Sequence, residues 1–174
     1  MTKIILPNDL HHLFRKLCNR YLIQNIYTMN LLSPVSEIMT TNLHTLTPSA
    51  SIADAAALFD NHKIHHIPVS IDGKLVGIVS MSDYLFFRRG FLDNHEDEKL
   101  EQIRMNNYEL SHIMTKGLAT LEPTARINVA LEVFKENIFH AIPVVDNDVL
   151  VGIVTTHDII THLAADNKAY AEYQ

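Results

Sequence analysis

Residues 75–79 read LVGIV, and residues 150–154 read LVGIV again. The same shift of 75 positions aligns SEIMT at 36–40 with SHIMT at 111–115, and 22 of the 51 residues from 35 to 85 are identical to their counterparts. An internal repeat this strong is the first constraint on the fold, because both copies should have the same structure. Two copies are too few for a solenoid, so the sequence predicts a pair in which each copy buries one face against the other.

The first half of each copy combines a short extended piece with a helix. In the first copy the extended piece lies around Leu43–Leu46. Ser51 is a favourable helix N-cap residue, and Asp54 stands three positions later, where it can complete a capping box. Apolar residues then recur at helical spacing, which gives the helix one face for burial.

The second half of each copy is typical of a β-hairpin followed by a second helix. Apolar runs over 67–71 and 75–79 are separated by Asp72-Gly73, a strong signal for a two-residue hairpin turn. Asn147-Asp148 is a weaker version of the same turn in the second copy, and the second helix begins near Ser80. These elements predict an α+β fold of two β-α-β-β-α repeats related by a pseudo-twofold axis, with an extra N-terminal helix.

The regions outside the repeats contain two further predicted helices. Apolar and basic residues occupy different sides of a helix over 9–30, which favours packing against the repeats or a second subunit, with a membrane or partner surface as the alternative. Asn94 and the acidic residues after it indicate a helix N-terminus. The predicted segments are an N-terminal amphipathic helix over 1–33, repeat 1 over 34–88, a helical connector over 89–108, repeat 2 over 109–165 and a C-terminal tail over 166–174.

Charge and composition argue against several classes of partner. The net charge is −6, whereas domains that bind nucleic acid polymers usually present a basic surface. Cys18 is the only cysteine, which fits a reducing compartment. The first residues lack the apolar core of a signal peptide, and no apolar run approaches the roughly 18 residues of a membrane helix. We therefore expect a cytoplasmic protein that binds neither a membrane nor a nucleic acid polymer.

A short polar motif follows the second strand of each copy. Ser80 and Asp83 in the first copy correspond to Thr155 and Asp158 in the second. Taken alone, this Ser/Thr-x-x-Asp pattern is a helix cap. The same geometry also suits a ligand, because the hydroxyl and the first helix amides can face a phosphate while the carboxylate accepts the hydroxyls of a ribose.

The order and spacing of these motifs resemble the CBS domain, which is named after cystathionine β-synthase, and the chain resembles a tandem CBS pair, or Bateman module. The resemblance covers about 35–163. It rests on IMT (38–40), IPV (67–69) and GIVSxxD (77–83), which recur as IMT (113–115), IPV (142–144) and GIVTxxD (152–158).

The resemblance implies a regulatory module, not an enzyme, that binds AMP, ADP, ATP or S-adenosylmethionine and requires no other cofactor. Ser80 and Thr155 would contact ribose or phosphate, and Asp83 and Asp158 would hold the ribose. The adenine slot would be lined by His65, His66, Ile67 and Pro68 in one copy and by His140, Ala141, Ile142 and Pro143 in the other. Because the family commonly dimerises, the resemblance also implies a homodimer and an unknown regulated protein as partners.

Two residues of the second copy are further candidates for contact with a phosphate. Arg126 stands where the first copy has the cap residue Ser51, and His157 can carry a positive charge when it is protonated. Relatives often have basic residues between the Ser/Thr and the Asp. This chain has Met81-Ser82 and Thr156-His157 there, which disfavours polyphosphate binding.

The eleven histidines raise the possibility of a metal site. His65 and His66 are successive residues at the start of a strand, so their side chains point to opposite faces. The chain has neither an HExxH motif nor a set of cysteine ligands, and it has no nucleophile elbow or phosphate-binding glycine loop. We expect neither metal nor catalysis. The alternatives are an interaction module without a ligand and a small metal-dependent hydrolase that uses the histidines.

Overall fold

The computed structural model describes residues 30–90, 98–136 and 139–166. Residues 31–162 form one compact unit. The strands are β1 (His66–Ile71), β2 (Lys74–Ser80), β3 (Ala141–Asp146) and β4 (Val149–Thr155), and the helices are α1 (Ile52–His62), α2 (Met81–Arg89), α3 (Glu98–Asn107), α4 (Ile127–Glu136) and α5 (Thr156–Asp166). The predicted N-terminal helix, the helix start at Asn94 and the tail beyond residue 166 lie outside the described residues.

Each repeat is built on an antiparallel hairpin, β1 with β2 and β3 with β4. Both turns have two residues with positive φ, Asp72 and Gly73 in the first hairpin and Asn147 and Asp148 in the second. Two consecutive positive φ angles match the type of turn that fits the twist of a hairpin. The predicted α+β class and its duplicated hairpins are confirmed.

The predicted extended piece before α1 is reduced to a single bridge. Leu46 lies parallel to β1, where its amide donates to the Pro68 carbonyl at 3.2 Å and its carbonyl accepts from Ser70 at 2.9 Å. Pro68 has no N–H, so the ladder cannot continue toward the preceding residues. Leu121 repeats this arrangement beside Pro143 of β3. A proline at the equivalent position, Pro68 or Pro143, thus limits the extended piece of each repeat to a single bridge.

The two repeats exchange their IMT segments. Thr40 of repeat 1 pairs with Ile153 of β4 through hydrogen bonds of 2.9 and 3.0 Å, and Thr115 of repeat 2 pairs with Ile78 of β2 at the same two distances. Each hairpin is therefore extended by a segment of the other repeat. This reciprocal pairing is the structural form of the predicted pseudo-twofold relation.

Buried residues just before the two IMT segments take part in the same exchange. Leu110, just before the IMT segment of repeat 2, belongs to the hydrophobic core that α1, β1 and β2 of repeat 1 form. Its counterpart Val35 is likewise fully buried, and its amide donates to the Ala125 carbonyl beside α4 at 2.7 Å. The core of repeat 1 contains Ile52, Ala55, Phe59, Ile67, Val69, Val79, Met105 and Leu110.

Backbone carbonyls satisfy amides at the N-termini of both α1 and α4, since Ile52 N donates to the Tyr108 carbonyl at 3.0 Å, and α1 has a side-chain capping box as well. At α1, Ser51 and Asp54 form the predicted capping box, with Asp54 N donating to Ser51 Oγ at 3.1 Å and Ser51 N donating to Asp54 Oδ2 at 2.9 Å. At α4, Arg126 occupies the cap position. There the amides of Ile127 and Asn128 donate to the carbonyls of residues 33 and 31 at 3.0 and 2.9 Å. Backbone from the segment before repeat 1 thus satisfies amides at the start of α4.

Candidate functional site

A cavity of about 330 Å³ lies where β2 and α2 of repeat 1 meet residues of repeat 2. Its volume falls within the range of small-molecule sites. The lining residues are His66, Ile78, Ser80, Ser82, Asp83, Thr115, Leu118, Ala119, Phe139, His140, Ala141, Ile142 and Pro143. A separate cavity of about 350 Å³ near the hairpin turns contains none of the predicted site residues.

Both repeats contribute to this cavity, and they contribute different chemistry. Repeat 1 supplies polar groups, among them Ser80 and Asp83 at the start of α2. Repeat 2 supplies a mostly apolar wall that includes Phe139 and the 140–143 segment entering β3. Because Thr115 pairs with β2, the repeat 2 chain that leads to this wall is held beside the polar groups. The predicted ribose residues and adenine slot therefore meet across the two repeats.

The Ser80–Asp83 pair is a capping box that leaves one oxygen available. Asp83 Oδ2 accepts from Ser80 N at 2.8 Å and from Ser80 Oγ at 2.7 Å, while Asp83 N donates to Ser80 Oγ at 3.1 Å. Within the part of the chain that the structure describes, Asp83 Oδ1 has no hydrogen-bond partner. The cap thus fixes the carboxylate and leaves an acceptor for a ligand hydroxyl.

The apolar wall also contains a free backbone acceptor. Leu121 is bridged to Val144 in the same way as Leu46 is bridged to Val69, and the next ladder bond toward the N-terminus would require an N–H at position 143. Pro143 has none. Among the described residues, the carbonyl of Ala119 consequently has no hydrogen-bond donor, and Ala119 lines the cavity. A flat, amino-bearing base against Ile142 and Pro143 could donate to this carbonyl.

His66 lines the cavity, and its surroundings lower the pKa of its imidazole. Burial lowers the pKa of His66, the nearby His140 and His65 lower it further, and the carboxylate of Asp83 opposes this shift. Burial lowers the pKa because it disfavours the charged form of the imidazole. His66 is directly paired with Ser80 across the hairpin, so it lies beside the polar end of the cavity.

The lowered pKa of His66 predicts a loss of stability in acid. Below pH 6.5 the unfolded chain binds a proton at this position more readily than the folded chain does, so the free energy of unfolding falls as the pH decreases. We expect His66→Gln to show a smaller decrease than the wild type between pH 7.5 and 5.5 in urea unfolding. His65→Gln removes only the smaller effect of the exposed neighbour on His66, so its decrease should stay closer to that of the wild type than to that of His66→Gln. Equal slopes for the wild type and His66→Gln would contradict this prediction.

The counterpart site around Asp158 differs in two respects. Asp158 forms the same capping box with Thr155, but its Oδ1 also accepts from Thr40 Oγ1 at 3.3 Å. Residue 44 corresponds to Ala119 and is a histidine, and the His44 ring stacks on His62 with centroids 3.8 Å apart. The second carboxylate is therefore partly satisfied within the protein, and a bulkier side chain stands at the position of Ala119.

Several predicted site residues do not line the described cavity. His65 and His157 are exposed, Arg126 is exposed at the start of α4, and Ile67 and Pro68 are buried in β1. Thr155 and Asp158 lie at the start of α5, in the counterpart site. Lining residues that sequence reasoning missed include Thr115, Ala119 and Phe139. The exchange of IMT segments, which the sequence does not show, brings Thr115 and Ala119 to Asp83.

No group of three or more His, Cys, Asp or Glu side chains in residues 30–90, 98–136 and 139–166 is arranged to hold a metal ion. In those same ranges, no helix is both long and apolar enough to span a membrane.

Comparison with known proteins identifies the repeated unit. The family model of the CBS domain matches residues 35–90 and 110–165. The chain is 26% identical over 138 residues to the CBS domain-containing protein YhcV of Bacillus subtilis, covering 79% of this chain and 91% of that protein. It is 33% identical over 127 residues to a homoserine O-acetyltransferase of Methanohalobium evestigatum, covering 72% of this chain but 23% of the enzyme. The chain therefore matches only a part of that enzyme.

Solved structures of CBS pairs have the same fold. The chain is similar to CBSX2 in complex with AMP, with a TM-score of 0.64, 27% identity and coverage of 78% of this chain and 99% of that one. It is also similar to the CBS domain pair of protein MJ0100 in complex with 5′-methylthioadenosine and S-adenosyl-L-methionine, with a TM-score of 0.60, 28% identity and coverage of 77% and 98%. With the family model matching both repeats, the chain belongs to the CBS-domain family and carries the domain twice.

Proposed function

We propose that this protein is a regulatory CBS pair, without catalytic activity of its own, that binds an adenosine-containing ligand in the cavity between its repeats. The proposal depends mainly on one observation. Asp83 Oδ1, which has no partner within the described chain, lies in the same cavity as an apolar wall that ends in Pro143. A ribose requires an acceptor for its hydroxyls and a base requires a flat apolar surface. The AMP complex of CBSX2 and the S-adenosyl-L-methionine complex of MJ0100 support the class of ligand.

Regulation follows from the composite origin of the cavity. A ligand shifts a conformational equilibrium only through different affinities for two states. Because Asp83 and Pro143 belong to different repeats, the complete site exists only when the repeats hold the arrangement described here. A ligand that contacts both walls stabilises this arrangement, and a regulated protein can respond to the change.

Calorimetry with adenosine, AMP, ATP and S-adenosylmethionine tests the proposal. For a ligand of the size of AMP, about −0.3 kcal/mol per heavy atom gives a dissociation constant of about 10 µM. We expect ATP to bind more weakly than AMP, because no lysine or arginine is among the residues that line this cavity. Absence of binding by all four compounds at millimolar concentration would leave the interaction module without a ligand as the better account.

We further propose that two copies of the chain associate through the outer surface of α2 and α5. Phe86 on α2 is 80% exposed, and its neighbour Leu85 and the equivalent Ile160 on α5 are exposed as well. Apolar side chains that are exposed together on one surface are typical of interaction sites. Because the internal repeat presents an apolar side chain at equivalent positions of two helices, a second copy is a self-complementary partner for this surface.

Substitution of Phe86 by glutamate is expected to convert the dimer to a monomer. Loss of a central aromatic contact costs about 2 kcal/mol or more, or roughly a thirtyfold weaker association. Light scattering coupled to size exclusion gives the mass of each species. Ile71→Glu is the control, since it places the same charge at an exposed apolar position of β1. A Phe86→Glu protein with the mass of the wild type would contradict the proposed interface.

A further inference from the structure

The charged groups of the cavity are unusual for a site that receives a nucleotide. Of the lining residues, Asp83 is the only carboxylate, His66 and His140 are imidazoles, and none is a lysine or arginine. A phosphate that enters this cavity meets a fixed negative charge and no permanently positive side chain in the lining. Neutral histidines can donate a hydrogen bond, but they add positive charge only after they bind a proton.

His66 is the histidine placed to bind a proton when a phosphate enters the cavity. It lies in register with Ser80 at the start of α2, and it is half-buried, whereas the side chain of its neighbour His65 is exposed. The titratable groups that act on it are His140 from the segment entering β3, His65 beside it on the chain, and Asp83 from α2. Two of these three groups disfavour its protonated form, as burial does. In the free protein these effects favour the neutral form of His66.

A phosphate monoester reverses this balance. Its dianion adds about two negative charges near His66 at pH values above its second pKa of about 6. A neighbouring negative charge favours the protonated imidazole, and the effect is strong where the site excludes water. Binding of the monoester then takes up a proton, so that its affinity depends on pH. A nucleoside without a phosphate brings no such charge.

We propose that the cavity admits an adenosine monophosphate together with a proton on His66, so that affinity for the monophosphate rises as the pH falls while affinity for adenosine does not. The inference rests on the proposed function, because it concerns the same site. It makes the module a sensor of two quantities, the concentration of the monophosphate and the pH. His66 is thus a specificity-determining residue that distinguishes nucleotide from nucleoside.

Calorimetry with AMP and with adenosine between pH 8.0 and 6.5 tests the inference. One coupled proton changes affinity by at most tenfold per pH unit, and we expect AMP to bind about fivefold to tenfold more tightly at pH 6.5. Adenosine should change by less than about twofold. Measurements in two buffers with different heats of ionisation should show proton uptake with AMP. His66→Gln should lose most of this uptake, and His65→Gln, the matched control at the exposed neighbour, should retain it.

The outcomes separate the two proposals. If neither AMP nor adenosine binds but ATP or S-adenosylmethionine does, the proposed function stands and the inference fails. If none of the four compounds binds, both fail. If AMP and adenosine bind with the same pH dependence, the ligand class stands and the role of His66 is overturned. The inference is also overturned if AMP binding takes up as many protons in His66→Gln as in the wild type.

Discussion

Replacement of Asp83 by alanine is expected to weaken the binding of AMP by about tenfold to a hundredfold. Asp83 Oδ1 has no partner in the described part of the chain, whereas Oδ2 is held by Ser80 at 2.7 and 2.8 Å. A hydrogen bond to a charged group contributes about 1.5–3 kcal/mol, which corresponds to this range of affinity. Calorimetric titration of the variant and the wild type measures the difference.

Asp158→Ala is the matched control for this prediction. It removes the same capping box, in which Asp158 Oδ2 accepts from Thr155 at 2.6 and 2.7 Å, so both variants should lose about 1 kcal/mol of stability. Because Thr40 Oγ1 already donates to Asp158 Oδ1, we expect AMP affinity to change by less than threefold. Equal losses of affinity in the two variants would show that both sites bind, and a loss in Asp158→Ala alone would contradict the assignment to Asp83.

Replacement of Gly77 by alanine is expected to lower the free energy of unfolding by about 2 kcal/mol. A Cβ at this position would lie 2.8 Å from the Met114 sulfur and 3.0 Å from the Thr115 carbonyl. Overpacking of this kind costs about 1–3 kcal/mol, which for a protein of this size lowers the midpoint of thermal unfolding by roughly 4–8 °C. The thioether can move aside, but the Thr115 carbonyl is held by its pairing with Ile78.

Two further variants test whether the loss of stability is specific to the contact between Gly77 and the exchanged IMT segment. Gly90→Ala introduces a Cβ that approaches only the Phe87 carbonyl at 3.4 Å, and we expect it to change stability by less than about 0.5 kcal/mol. The Gly77→Ala/Met114→Ala protein should be more stable than the sum of its single changes predicts, by about 0.5 kcal/mol or more. Full stability of Gly77→Ala, or additivity with Met114→Ala, would mean that Met114 does not pack against Gly77.

The elements that local chemistry determines could be predicted from the sequence. Asp72-Gly73 requires a turn with positive φ, and Ser51 with Asp54 defines the start of α1, so the hairpin and the helix follow from a few neighbouring residues. The 75-residue repeat then transfers this order to the second copy. The Ser80–Asp83 pair was interpreted both as a cap and as a ligand site. Its geometry combines a complete cap with one oxygen, Asp83 Oδ1, that has no hydrogen-bond partner among the described residues.

The composition of the cavity could not be predicted, because it depends on contacts between residues far apart in the chain. Thr115 reaches β2 only through the exchange of IMT segments, and this exchange brings Ala119 to the same cavity as Asp83. Gly77 lies within the repeated LVGIV run, and the side chain that approaches it is Met114 of the other repeat. A repeat predicts that two sites exist, whereas only the structure shows that Thr40 donates a hydrogen bond to Asp158.

One adenosine ligand is proposed to bridge the two repeats, and a crystal structure of the protein grown with saturating AMP would show its position. We expect the ribose hydroxyls to bind Asp83 Oδ1, the base to pack against Pro143 and the phosphate to lie beside His66. AMP bound by residues of one repeat alone, or bound away from Asp83, would contradict the claim. So would a cavity that stays empty at a concentration that saturates the protein in solution.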